Sequence, residues 1–139
     1  ATGGSDGEVL ITSVENPDEP NVYAPAPGQS KQGAEITRVS WNTQVAHIVA
    51  SSAGNGTVVV WDLRQKKPWC ELRCEANALS GLAWNPSQGL HIVTSGVDSP
   101  VVKLWDLRSS TTMPLASLDG HTSGVLSLDW CPHDDSLLV

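Results

Sequence analysis

The sequence predicts an all-β fold built from repeated four-stranded sheets, and three observations carry that expectation. The tetrapeptide Trp-Asp-Leu-Arg occurs twice, at residues 61–64 and 105–108, each time behind an aliphatic run. The landmarks around it recur in a fixed order. Trp61 and Trp105 lie 44 residues apart, as do His47-Ile48-Val49 and His91-Ile92-Val93, while Trp41-Asn42, Trp84-Asn85-Pro86 and Trp130-Cys131-Pro132 form a third series at spacings of 43 and 46. The runs themselves are short, rich in β-branched residues and closely punctuated by Gly, which disfavours helix. Recurrence at one period of 20–50 residues is the mark of a stacked repeat.

Taken in order, Asp6 to Glu15 aligns with Asn55 to Arg64, so the chain starts on a degenerate third strand with Thr12-Ser13 where Trp-Asp would stand. Residues 16–35 follow as a loop; the stretch NPDEPNVYAPAPGQSKQG within it holds four Pro and two Gly and cannot be regular structure, although an edge strand around Val22-Tyr23 is admissible. The next unit spans 36–78. Its strands are Ile36 to Trp41, His47 to Ser51, Thr57 to Trp61 after the Asn55-Gly56 turn, and an outer Trp69 to Arg73 after Pro68. The unit at 79–122 repeats this with Leu79 to Trp84, His91 to Ser95, Val101 to Trp105 and a weak Leu115 to Leu118. Residues 123–139 begin another unit, with Ser136 to Val139 as the start of its second strand. That makes about twelve strands. Val58-Val59-Val60-Trp61 is apolar on both faces, which requires cover on both sides of its sheet.

Composition narrows the function. The chain has 139 residues, 15 Asp and Glu against 8 Lys and Arg, and a net charge of -7. Nucleic acid and anionic membrane both favour a basic face, so neither is expected as a main partner. The local basic cluster Arg64, Lys66 and Lys67 reads as a solvated turn. No apolar run approaches the ~18 residues of a membrane span. The N-terminal ATGGSDGEV has no basic segment leading into an apolar run, so no secretory leader is expected there, and without an initiator Met the chain reads as a stretch of a longer protein. Three cysteines fit a reducing compartment. Cys70 and Cys74, four apart on a strand, would sit roughly 13 Å apart, beyond the about 7 Å limit for a disulfide. No metal or cofactor is expected, since no pair of Cys or Cys/His clusters has zinc spacing.

Four-stranded units of about 44 residues that end in Trp-Asp match the WD-repeat signature. Through Trp61-Asp62, Trp105-Asp106 and Gly120-His121 the chain resembles part of a WD-repeat β-propeller. The resemblance implies one blade per repeat and a ring of seven blades, of which this chain would supply about three. It also implies a hydrogen-bonded network of His, turn Asp and Trp within each blade. Asp98 matches the turn Asp. Only one Gly-His pair is present, and its blade lies mostly beyond Val139, so the network of the two fuller units is expected to be incomplete.

The run ITRVSWNTQVAHIVASSAGNGTVVVWDLRQKKP, with SGLAWNP and VVKLWDLRSS further on, is similar to the N-terminal propeller of the large outer-coat subunit of the COPII vesicle coat. That resemblance implies a non-catalytic scaffold in endoplasmic reticulum to Golgi transport. The scaffold would be cytoplasmic and peripheral at exit sites and vesicles, and partnered by other coat subunits. A small propeller subunit would join through regions outside this chain. The alternative is a WD-repeat adaptor of a cullin ubiquitin ligase, which docks through a Trp-Asp-x-Arg box; Arg64 and Arg108 satisfy that pattern twice. An enzyme is disfavoured: His47, His91, His121 and His133 are the general-base candidates, but no phosphate loop, nucleophile elbow or acid/base pair accompanies them. His47 and His91 also hold equivalent repeat positions, which argues for a structural role.

Trp61, Asp62, Asp98, Trp105, Asp106, Gly120 and His121 are therefore read as repeat residues. Partner binding is expected on blade-edge loops, where the repeat imposes nothing. The candidates are Glu35, Thr37, Asn77, Leu79 and Ser123 at the starts of first strands, with Arg64 and Arg108 on the rim. Unpaired edges and apolar flanks at the two ends predict self-association.

Overall fold

The tight turns set the pattern. In the Asn55-Gly56 turn the Asn55 Oδ1 accepts the Thr57 N–H at 3.2 Å, and Gly56 takes a φ of 78° that only glycine adopts readily. The same device stands at the chain start, where Asp6 Oδ1 accepts the Glu8 N–H at 3.0 Å and Gly7 has a φ of 82°. The two hairpins are counterparts.

In the computed structural model, which describes residues 1–23, 34–74 and 77–139, eleven strands form: β1 (Thr2–Gly3), β2 (Val9–Ile11), β3 (Asn21–Tyr23), β4 (Ile36–Trp41), β5 (Ile48–Ala53), β6 (Thr57–Asp62), β7 (Lys67–Arg73), β8 (Leu79–Trp84), β9 (His91–Gly96), β10 (Ser99–Asp106) and β11 (Ala116–Leu118). They make three antiparallel meanders, β1 to β3, β4 to β7 and β8 to β11. Because β1–β2 corresponds to β5–β6, the first meander holds second, third and fourth strands of a unit. A further unit begins at the far end. There Asp129 and Val139 exchange backbone hydrogen bonds of 2.7 and 3.0 Å around the bridge Trp130–Leu138. Half of the Pro-rich loop, residues 24–33, lies outside the described residues.

Burial on both sides of β6 follows from stacking. Val58 and Val60 face a core with Ile48, Leu72, Leu79, Leu82, Trp84, Ile92 and Trp105, while Val59 and Trp61 face Val9 on the opposite side. Each such aliphatic side chain contributes about 1.5–3 kcal/mol. A third core joins Ala83 and Val93 to Trp130. The first strands β4 and β8 run side by side, cross-linked by Arg38 Nε donating to Ser80 O at 2.8 Å and Trp84 Nε1 donating to Ser40 O at 3.1 Å. The outer strand β7 guards its free edge with Lys67, Pro68 and a register shift opposite Val60 and Trp61.

One sequence alignment is corrected by the ladders. Val49 pairs with Trp41 on one side and Trp61 on the other, and the residue that pairs with both Trp84 and Trp105 is Ile92, not Val93. First and second strands therefore repeat at 43 and third strands at 44. The extra residue is absorbed in an irregularity between Ser99 and Lys103. The literal His-Ile-Val match is one place out of register. His91 corresponds to Ile48, and His47 to Leu90, whose carbonyls accept Leu63 N–H at 2.9 Å and Leu107 N–H at 3.0 Å respectively. The two histidines do not occupy equivalent positions.

Candidate interaction surfaces

The repeat tryptophans each find a hydroxyl on the neighbouring second strand. Trp61 Nε1 donates to Ser51 Oγ at 2.8 Å, and Trp105 Nε1 donates to Thr94 Oγ1 at 3.0 Å. Both indoles are 1% exposed, so an unbonded N–H there would be costly. Thr94 Oγ1 also lies 3.6 Å from Cys74 Sγ, across the boundary between the second and third sheets. Burial pushes the Cys74 thiol, and that of Cys70, up to about 11.

Asp62 and Asp106 end the third strands by capping the turn that follows. Asp62 Oδ1 accepts the N–H groups of Arg64 and Gln65 at 2.9 and 3.2 Å, and Asp106 Oδ1 accepts that of Arg108 at 2.9 Å. The Arg108 backbone N–H, and secondarily its guanidinium at 3.5 Å and His91 at 3.7 Å, hold the Asp106 carboxyl below its ordinary value. Arg64 and Arg108 hold matching places after their third strands, with exposed side chains on one rim.

The opposite rim carries the starts of the first strands. Glu35 is exposed there, and its carbonyl accepts the Gly54 N–H at 2.9 Å. The Thr37 hydroxyl shares a hydrogen bond of 2.9 Å with Ser52 Oγ. Asn77 donates its backbone N–H and its Nδ2 to the Asp98 carboxylate, at 3.2 and 2.6 Å. The turn Asp thus has a partner although the unit has no Gly-His, because an asparagine supplies the donors. Ser123 is exposed. Leu79 is a correction: it is 2% exposed, inside the core between the second and third sheets, and presents nothing to a partner. Gly120 and His121 are exposed.

Two residues do work that the sequence reading missed. Asn42 Oδ1 accepts the N–H groups of Gln44 and Val45 at 2.9 and 2.8 Å, while its Nδ2 reaches the next sheet at Gly89 O, 2.6 Å away. Asn85 does the same for Ser87 and Gln88, both at 2.8 Å, and reaches Asp135 O at 3.3 Å. Both are buried. The signal was present in the Trp-Asn pair repeating at 43. Among the described residues no group of three His, Cys, Asp or Glu could hold a metal ion, and no helix is long and apolar enough to cross a membrane.

The family model "WD domain, G-beta repeat" matches residues 27–62 and 112–139. With meandering four-stranded sheets stacked on both faces and Trp-Asp closing the third strands, the chain has the fold of part of a WD-repeat β-propeller. Within that class it is similar from end to end to the protein transport protein SEC31 of Dictyostelium discoideum, at 41% identity over 142 residues covering 100% of this chain. A solved structure described as COPII on membranes, outer coat vertex, matches 98% of the chain at 34% identity with a TM-score of 0.79, over 38% of that chain. The crystal structure of a mitotic checkpoint complex matches equally well, with a TM-score of 0.80 and 31% identity over 98% of this chain and 38% of the other. The chain spans 10% of the length of the Dictyostelium relative.

Proposed function

We propose that residues 1–139 form one stretch of a single propeller domain in a large COPII-type outer-coat subunit. It acts there as a non-catalytic scaffold in endoplasmic reticulum to Golgi vesicle transport. The observation that carries this reading is the 41% identity to SEC31 across the entire chain. Fold alone would not separate a coat subunit from other propellers, since the checkpoint structure superposes as closely. The partners of this reading are other coat subunits, met at the cytoplasmic face of the vesicle. Within the chain, Glu35, Asn77 and Ser123 at the starts of the first strands are the residues offered to them, while Arg64 and Arg108 on the other rim belong to the adaptor alternative.

Fused to its native continuation, the protein is expected to recover coat subunits from cytosol, and Arg64→Ala with Arg108→Ala should leave that recovery nearly intact. Recovery of the ubiquitin-ligase linker instead, abolished by the same double change, would replace the coat reading with the adaptor reading.

A further inference from the structure

The connection between β10 and β11, residues 107–115, carries four consecutive hydroxyls, Ser109, Ser110, Thr111 and Thr112. Three of them hold the connection in shape. Ser109 Oγ donates to Asp106 O at 3.1 Å, Ser110 Oγ accepts the N–H groups of Thr112 and Met113 at 3.1 and 3.0 Å, and Thr112 Oγ1 shares a hydrogen bond of 3.2 Å with Ser110 Oγ. Among the described residues the Thr111 hydroxyl has no such partner. Thr111 is half-buried and, with Thr112, lines a cleft of about 380 Å³ whose other wall is Glu71 and Arg73 on β7. The cleft therefore spans the boundary between the second and third sheets. Arg73 Nε stands 3.4 Å from Glu71 Oε1, and the Arg73 side chain is 72% exposed, so the rest of its guanidinium fork is open. Arg108, also exposed, precedes Thr111 by three residues.

We propose that Thr111 is a phosphorylation site for an arginine-directed protein kinase, and that Arg73 of the neighbouring sheet holds the phosphate. In an extended stretch a cation three residues ahead of the hydroxyl lies about 10 Å from it. That is too far to bond the acceptor and suits a separate acidic subsite, the kind of charge pattern by which kinases select substrates. In the transfer, Thr111 Oγ1 attacks the γ-phosphorus of a magnesium-bound nucleoside triphosphate. The bond from that phosphorus to the β–γ bridging oxygen breaks, the diphosphate leaves with the electron pair, and the hydroxyl proton passes to the kinase. Residues 109–113 are held by Asp106 and by one another, so they can open onto a kinase without breaking a strand ladder. The product brings about −1.5 to −2 charges into the cleft. Glu71 opposes that charge and Arg73 decides the balance, since its fork can keep the carboxylate at Nε and take the phosphate on its terminal nitrogens. The phosphate then ties together the outer margins of two sheets whose first strands already run side by side. The site does not depend on the coat reading.

The test treats the full-length protein, first stripped by phosphatase, with the catalytic subunit of cyclic-AMP-dependent protein kinase and magnesium ATP, followed by peptide mapping. Within the connection, phosphate is expected on Thr111 and not on Ser109, Ser110 or Thr112. Arg108→Ala should slow labelling about tenfold or more, the loss of one charge-assisted contact to the kinase. In hydrogen exchange, residues 109–113 and β7 should be protected several-fold more in the phosphorylated protein than in the unmodified one. Arg73→Gln should remove that added protection while leaving the labelling rate unchanged. Both arginines are exposed, so neither change disturbs the core. A synthetic peptide of residues 104–116 that is labelled while the native protein is not, phosphate on another hydroxyl of the connection instead, or added protection that survives Arg73→Gln overturns the proposal.

Discussion

Asn77 grips the Asp98 carboxylate twice, through its backbone N–H at 3.2 Å and its side-chain Nδ2 at 2.6 Å, and so ties the start of the first strand to the turn between the second and third. The geometry is that of a side chain working for its own sheet. Asn77→Ala should lower stability by about 1 kcal/mol, the ordinary value of one such bond. Asp98→Ala should cost somewhat more, since it removes both contacts. A double-mutant cycle in urea is the check, and a coupling near zero would mean that the two residues merely sit close.

The buried indoles should dominate stability. Trp61→Ala and Trp105→Ala should each cost about 3–5 kcal/mol. Trp105→Phe keeps most of the volume but leaves Thr94 without its indole donor, so it should fall well short of the alanine cost. Chemical denaturation of the three variants measures the separation.

Asn42 and Asn85 should behave as core residues despite their polarity. Losing two turn caps and a link to the next sheet, Asn42→Ala and Asn85→Ala should each cost about 2–4 kcal/mol on the scale of 0.5–1.5 per bond. Leu79→Ala belongs in the same experiment at about 2–5 kcal/mol. Glu35→Ala and Ser123→Ala on the same rim should stay within about 0.5 kcal/mol.

Two titrations define the pH limits. Asp106 is held below its ordinary 3.8 first by the Arg108 N–H, so its stabilising effect is present above pH 3.8 and is lost as pH falls through the lower folded value. Asp106→Asn should flatten that part of the acid profile. Cys70 and Cys74 run the other way. Burial raises both from 9.0 to about 11, so their contribution is full below pH 9 and fades as pH rises toward 11. At pH 8 their thiolate population is about a hundredfold below that of an unfolded thiol, and alkylation in the native protein should slow accordingly. Rapid labelling of Cys74 in native protein would contradict its placement against Thr94.

Much of the fold was legible because each unit must bury the same apolar third strand on both faces, and Val58 to Trp61 announces that requirement without help from context. The Asn55-Gly56 turn and its counterpart at Asp6-Gly7 were legible for a similar reason, since their backbone demands particular residues. The site was less so. Leu79 looked like a loop residue because the sequence shows where a strand begins but not which side of it meets the next sheet. Asn77 looked free because its partner lies 21 residues on. Asn42 and Asn85 stand out in sequence as repeat landmarks, yet their cross-sheet bonds to Gly89 and Asp135 depend on stacking that no local pattern encodes. The His47 and His91 match was persuasive and wrong by one place, because identity of letters outvoted hydrogen-bond register.

That single place has a wider consequence. The irregularity between Ser99 and Lys103 lets the third sheet carry one residue more than the second while Trp105 still meets Thr94 as Trp61 meets Ser51. The start of β10 acts as slack in the chain, taking up changes of length so that the packed part of the strand need not move. Insertions and deletions at this corner should therefore be tolerated across such proteins, whereas the same change inside β5 (Ile48–Ala53) would turn every side chain after it to the opposite face of the sheet. Lineages can then drift in period while their geometry stands still, and a search that trusts fixed spacing will lose sight of blades that are fully formed.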